Sequence, residues 1–313
     1  MTENKFNIKD TILAVDINEA TQAVKENRFK DAIKLLEINL IEHPDHIDSL
    51  YLAGVCSRYL KEFDDAIKYI ESLLVHAPDM GRAYQELAHI NRDMGNEEKS
   101  ISNYRQACEL NPALISSWMS LYEYFKKNNN KPALDHATEQ INKLKSLPNM
   151  LLYIDQVMNE GRLGVAELKC REFLKKNPTH TYAMSQLSEI ANRLGHFDDA
   201  ELLLEKAVQF NPDDGELRMK YALVLRKKQK FAKTMEQVNI LCDKYPDNLA
   251  YQAQKASEIM QNGQHEDAID LFDDILSKNP HNFSTFTSKG HALKTLGKTD
   301  DAIESYQSAY KIR

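Results

Sequence analysis

The chain has 313 residues but only 10 glycines and 9 prolines, too few turn formers for an all-β fold of that length, so the composition predicts an all-α protein. A net charge of -7, from 40 cations against 47 carboxylates, argues against wholesale nucleic-acid binding and leaves room for a local basic stripe. No apolar run is long enough to span a bilayer, MTENKFNIKD lacks the apolar core of a signal peptide, and the four cysteines lie at least 52 residues apart with no CxxC pair; a soluble, cytoplasmic protein with buried structural thiols is expected.

After a lead-in over residues 1–12, a 34-residue period starts near Leu13. Pro44, Pro78 and Pro112 are 34 apart, as are Pro178, Pro212, Pro246 and Pro280. Twelve residues ahead of each proline position stands a marker, small in most units: Ala32, Ala66, Ser100, Ala133, Ala166, Ala200, Thr234, Ala268 and Ala302. A small residue on one helix face lets a paired helix come close. Five residues before it, Asn27, Lys61, Gly95, Gly161, Gly195, Gln229, Gly263 and Gly297 are mostly residues that accept a left-handed conformation and end a helix. Each unit therefore reads as two helices. In the second unit IDSLYLAGVCSRYL is the first helix, KEF the turn and DDAIKYIESLLVHA the second, with Gly54 in the small-residue seam. Asp45, Asp79, Asp213 and Asp247, each just after its proline, are expected to cap the next helix. Acid pairs such as Asp64-Asp65, Asp198-Asp199 and Asp300-Asp301 open the second helices, where the helix dipole favours them.

The marker steps shorten to 33 at units four and five, with losses around Asn128–Lys131 and between Lys143 and Pro148. Altered stacking is expected there. The chain divides accordingly into residues 13–146 (units one to four) and 147–313 (units five to nine), with a candidate hinge near 128–148.

Nine units in phase, with GRAYQELAHINRDMGNEEKSISNYRQACELNP as a well-matched example and Trp118 at an aromatic position, resemble the tetratricopeptide repeat. The resemblance implies a right-handed superhelix of stacked hairpins whose first helices line a concave groove. It also implies which residues face that groove, and these carry a basic ladder: Lys25, Arg58, Arg92, Lys126, Lys127, Arg193, Arg226, Lys227 and Lys294. Two readings of the ladder stand. Cations in the last turn of a helix offset its dipole, and the same cations suit an acidic ligand. Leu151, Met158 and Met260 add apolar groove contacts, and Tyr59 and His89 lie beside the cations, so a protein or peptide partner with acidic and apolar anchors is expected. No catalytic or phosphate-binding motif is present, no metal or other cofactor is expected, and these residues read as a protein-interaction scaffold rather than an enzyme.

In the last helix Tyr306, Ala309 and Tyr310 fall where a following unit would pack, whereas Asp16 and Glu19 make the outer side of the first unit polar. This end reads as a cut through a repeat array or as a docking face for a partner or a second copy. LAGVCSRYLKEFDDAI, APDMGRAYQELAHINRDMG and YRQACELNPALISSW resemble repeat regions that precede bacterial sulfotransferase domains, which implies a catalytic domain beyond Arg313; no sulfate-donor loop lies within these residues.

Overall fold

The computed structural model describes residues 8–312, with side chains from Ile17 to Ile312. Those residues form eighteen α-helices and no strand, sixteen of them packed in consecutive pairs as hairpins. In order they are α1 (Ile8–Lys25) with α2 (Phe29–Glu42), α3 (Ile47–Tyr59) with α4 (Phe63–His76), α5 (Gly81–Asp93) with α6 (Glu97–Leu110), α7 (Ile115–Lys127) with α8 (Lys131–Lys145), and then α9 (Asn149–Asn159) followed by α10 (Leu163–Lys176). There follow α11 (Thr181–Arg193) with α12 (Phe197–Phe210), α13 (Gly215–Lys227) with α14 (Phe231–Lys244), α15 (Leu249–Gln261) with α16 (His265–Lys278), and α17 (Phe283–Thr295) with α18 (Thr299–Ile312). The chain falls into two compact units, 1–166 and 167–313, and the division lies inside α10.

The hairpin turns follow the sequence closely. Asn27, Lys61, Gly95, Gly161, Gly195, Gln229, Gly263 and Gly297 all have positive φ, and Asn129 supplies the equivalent residue in the fourth repeat. That conformation costs little for glycine and somewhat more for the others. The acid pairs sit in the first turns of α4, α12 and α18 as expected.

The caps between repeats are displaced by one residue. The N-caps of α3, α5, α13 and α15 are His46, Met80, Asp214 and Asn248, not the aspartates beside the prolines. The residue after each proline is still in the turn, so the next one takes the cap position; His46, Asp214 and Asn248 reach the exposed amides, and Met80 makes no side-chain cap bond. His46 Nδ1 accepts from the Ser49 amide at 3.1 Å, and Asp214 accepts from the Leu217 amide at 3.0 Å.

Within the N-terminal unit, α2 packs on α3, α4 on α5 and α6 on α7; within the C-terminal unit, α12 packs on α13, α14 on α15 and α16 on α17. Leu50, Ile70, Leu73 and Ile90 fill one of these interfaces, and Tyr104, Trp118, Leu121 and Phe125 the next. A fully buried side chain of this size contributes roughly 1.5–3 kcal/mol relative to exposure, so the interfaces between hairpins hold the stack together. Hairpins close tightly where the seam residue is small. A Cβ on Gly54 would lie 2.5 Å from Ile70 Cδ1. Cys56, Cys108 and Cys170 are buried as expected, whereas Cys242 is only half-buried. Asp16 lies outside the residues whose side chains are described, and Glu19 is exposed.

The fifth repeat departs from nearest-neighbour stacking. Asn111 Nδ2 donates to the Gln156 carbonyl at 3.1 Å, Gln156 Nε2 donates to the Ala113 carbonyl at 3.1 Å, and Asn159 Nδ2 donates to Asn111 Oδ1 at 3.3 Å. Farther back, Glu160 meets Arg82 at 2.5 Å and Arg162 meets Asp48 at 3.8 Å. The end of α9 and its turn thus lie along the loops that open α3, α5 and α7. The seam also differs here: where seven repeats place Ala20, Gly54, Ala88, Ser188, Ala222, Ala256 or Gly290, the fourth and fifth place the larger Tyr122 and Ile154.

Candidate functional site

The ladder positions lie in the last turns of the first helices, as their spacing requires, but most of the cations already have partners. Arg58 is the clearest case. Its side chain is only 11% exposed, with Nε 2.5 Å from Glu86 Oε1 and a terminal nitrogen 3.3 Å from Asp93. Its guanidinium also lies 4.4 Å over the Tyr59 ring, which stacks on Phe29 at 4.6 Å. Burial raises the Glu86 carboxyl against the pull of Arg58, and Arg58 stays charged. Arg58 therefore ties the second repeat to the third and is not the open groove cation expected; a buried pair broken on one side leaves an uncompensated charge.

One repeat on, Arg92 bonds Asp93 at 2.9 Å and donates to the Tyr104 hydroxyl at 3.4 Å. That hydroxyl lies 2.7 Å from His89 Nδ1. Burial lowers the His89 pKa to about 4, so the ring is neutral near pH 7 and its Nδ1 can accept the tyrosine proton. Lys127 pairs with Glu97 at 2.8 Å, and Lys126 sits 5.9 Å over the Tyr122 ring. Arg92 and Lys127 converge on a cavity of about 470 Å³ whose other walls include Glu97, Ile101, Tyr104 and Tyr124.

In the C-terminal unit Arg193 bonds Glu189 at 2.8 Å, Arg226 approaches the buried Glu258 at 3.5 Å, and Lys227 donates to Asn192 at 2.9 Å. Arg226 and Lys227 share a smaller cavity of about 220 Å³ with Glu189, Asn192, Lys220 and Leu223. Lys25 and Lys294, near opposite ends of the sequence, are exposed without a carboxylate beside them among the described residues.

The apolar candidates are mostly core. Leu151 is fully buried and Met158 nearly so, which removes both as surface contacts, and Met260 is half-buried against the cluster around Phe272. At the last helix, Tyr306 packs on Gly290 and reaches His291 Nδ1 at 3.0 Å, and Ala309 is buried. Neither presents the docking face expected of it. Tyr310 is 82% exposed, and Ile303 on the same helix is 48% exposed. Among the described residues no group of three histidine, cysteine or acidic side chains is placed to hold a metal, and no helix is long and apolar enough to cross a membrane.

The carboxylates that meet the ladder were not found from the sequence. Glu86 and Glu258 lie 28 and 32 residues beyond the arginines they meet. A separation near one repeat is the available signal: an acid about one period after a groove cation is placed to neutralise it.

Two models of the tetratricopeptide repeat match the chain, one over residues 81–114 and the other over residues 17–80, 186–248 and 254–313. Among curated proteins none matches. Similar solved structures include the crystal structure of MamA, 17% identical with a TM-score of 0.46, covering 51% of this chain and 93% of its own. MamA residues 41 to the end from Desulfovibrio magneticus RS-1 is 12% identical with a TM-score of 0.47, covering 52% and 92%. YrrB, described as a TPR protein with an unusual peptide-binding site, is 15% identical with a TM-score of 0.44, covering 56% and 91%.

Proposed function

The chain belongs to the tetratricopeptide repeat family, and we propose that it is a protein-interaction scaffold that holds an acidic segment of a partner against the first helices of its repeats. The observation that carries this reading is the cavity shared by Arg92 and Lys127 across the third and fourth repeats. Its size suits one or two side chains. Both cations reach it from helix ends, and the Tyr104 and Tyr124 rings with Ile101 supply apolar wall. Each cation now meets an exposed carboxylate, Asp93 or Glu97, in a pair worth little in water, so a partner carboxylate exchanges with it at small cost.

A labelled peptide alternating glutamate and leucine, followed by fluorescence anisotropy, tests the reading. Reversing both charges, Arg92→Glu with Lys127→Glu, is expected to weaken binding about tenfold or more, and added salt to weaken it in the wild type. Unchanged affinity in the double variant would sink the proposal.

A second reading, docking through the last helix onto a partner or another copy, is favoured by Tyr310 alone. Its counterparts Cys108, Val208 and Leu276 are buried in their repeats, while Tyr310 is 82% exposed. Sedimentation of the same sample over a range of concentrations separates the readings. Concentration-dependent dimers lost on Tyr310→Glu would favour this second one, and a monomer at every concentration would exclude self-association.

A further inference from the structure

Three repeats after the Arg92–Lys127 cavity, the same positions enclose a smaller one of about 220 Å³, between α11 and α13 of the C-terminal unit. Asn192, Leu204, Lys220, Leu223 and Lys227 stand there where Arg92, Tyr104, Ser120, Glu123 and Lys127 stand in the first. The balance of charge changes with them. The first cavity is lined by two cations and two carboxylates, Arg92 and Lys127 against Glu97 and Glu123. The second has three cations, Lys220, Arg226 and Lys227, against the single carboxylate Glu189, which Arg193 holds at 2.8 Å.

The consequence falls on Lys227. Its counterpart Lys127 pairs with Glu97 at 2.8 Å, but the place of Glu97 is taken here by Phe197. Lys227 therefore lies 5.8 Å over the Phe197 ring and donates to Asn192 Oδ1 at 2.9 Å, and it makes no ion pair among the described residues. Asn192 accepts through its oxygen, which leaves its amide nitrogen to donate. Lys220 is shared between Ser185 Oγ and the exposed Glu216, each at 3.2 Å, and an exposed pair of that kind is worth little in water. Arg226 meets the buried Glu258 at 3.5 Å. Leu204, Leu223 and Val224 wall the same space, where attraction between charges is stronger than in open water.

We propose that this cavity receives a phosphorylated serine or threonine side chain of a protein partner. A phosphoryl group on such a side chain carries a charge of about -1.5 to -2 near pH 7 and three acceptor oxygens. Lys227, Lys220 and the Asn192 amide bring donors to it from both helices, and a single carboxylate would leave part of that positive charge unmatched. A nucleic-acid phosphate carries only about one charge and matches it less well. The proposal rests on the scaffold reading for the kind of partner, and on residues of its own for the site.

The test uses the full chain and a labelled peptide of alanine and leucine around one phosphoserine, with its serine and glutamate counterparts, followed by fluorescence anisotropy. The phosphopeptide is expected to bind about tenfold or more tightly than either counterpart. Lys220→Gln with Lys227→Gln is expected to remove that advantage. The only partners these lysines lose are exposed or neutral, so the variant should fold, which circular dichroism verifies. The glutamate–leucine peptide and the Arg92, Lys127 variant read the other cavity, so either proposal can fail while the other stands. Equal affinity for the three peptides, or an advantage that survives in the lysine variant, would overturn this one. So would displacement of the phosphopeptide by oligothymidylate or inorganic phosphate as effective as displacement by the unlabelled phosphopeptide.

Discussion

The third and ninth repeats contain the same pair of rings in the same arrangement, and they differ in what lies over them. His89 meets Tyr104, and His291 meets Tyr306, each with ring centroids 5.4 Å apart at 71°. The hydrogen bonds are 2.7 and 3.0 Å. Tyr104 is 1% exposed because α7 packs on α6, whereas Tyr306 remains partly exposed on α18. Eight residues past the marker, Cys108 is 4% and Tyr310 82% exposed. The hairpin alone therefore buries most of the tyrosine ring, and the next repeat completes that burial and covers the position of Tyr310, as expected when stability is a sum of repeat and interface contributions.

The largest test of that difference removes the two tyrosines. Tyr104→Ala empties a fully buried site and is expected to cost about 3–5 kcal/mol in urea unfolding. Tyr306→Ala loses a ring that is already partly wet and should cost roughly 1–2 kcal/mol. Equal losses would mean that the hairpin contact, not coverage by the following helix, dominates.

The histidines sharpen the comparison through pH. An unfolded histidine titrates near 6.5, and burial lowers His89 to about 4. Below 6.5 the unfolded chain binds a proton that the folded chain refuses, so this contribution to stability is complete above 6.5 and is lost as pH falls toward 4. The loss should be of the order of 1–3 kcal/mol. Glu86, whose carboxyl is raised by burial, titrates in the opposite sense, so the informative quantity is the difference between wild type and His89→Gln at each pH. A difference that does not change between pH 7 and pH 4.5 would show that His89 takes up its proton in the folded chain.

The repeat period, the helix pairs and the left-handed turn residues were legible in the sequence because each depends on local spacing or on one residue's own conformational preference. The aspartates beside the prolines are not the caps because the turn runs one residue past them before each helix starts. The Arg58–Glu86 bond was hidden for another reason: partners 28 residues apart meet only once the hairpins stack. The fold-back of the fifth repeat leaves one trace in the sequence, the spacing shortened to 33 at the fourth and fifth markers.

The smallest expected effect comes from the seam itself. Ala88 and Gly290 hold the same position in the third and ninth repeats, and a Cβ on Gly290 would fall 2.5 Å from Tyr306 Cε1. In a packed core that overlap would cost about 1–3 kcal/mol. Here the ring lies on a face that no described helix covers, and Tyr104 shows that the same ring can pack beside an alanine. Replacing a mid-helix glycine by alanine meanwhile favours the helix by about 0.8–1 kcal/mol. The two effects nearly cancel, so Gly290→Ala should change unfolding free energy by less than about 1 kcal/mol in either direction. A loss above about 2 kcal/mol in urea unfolding would mean that Tyr306 is held as firmly as Tyr104, and that the last hairpin is covered in solution.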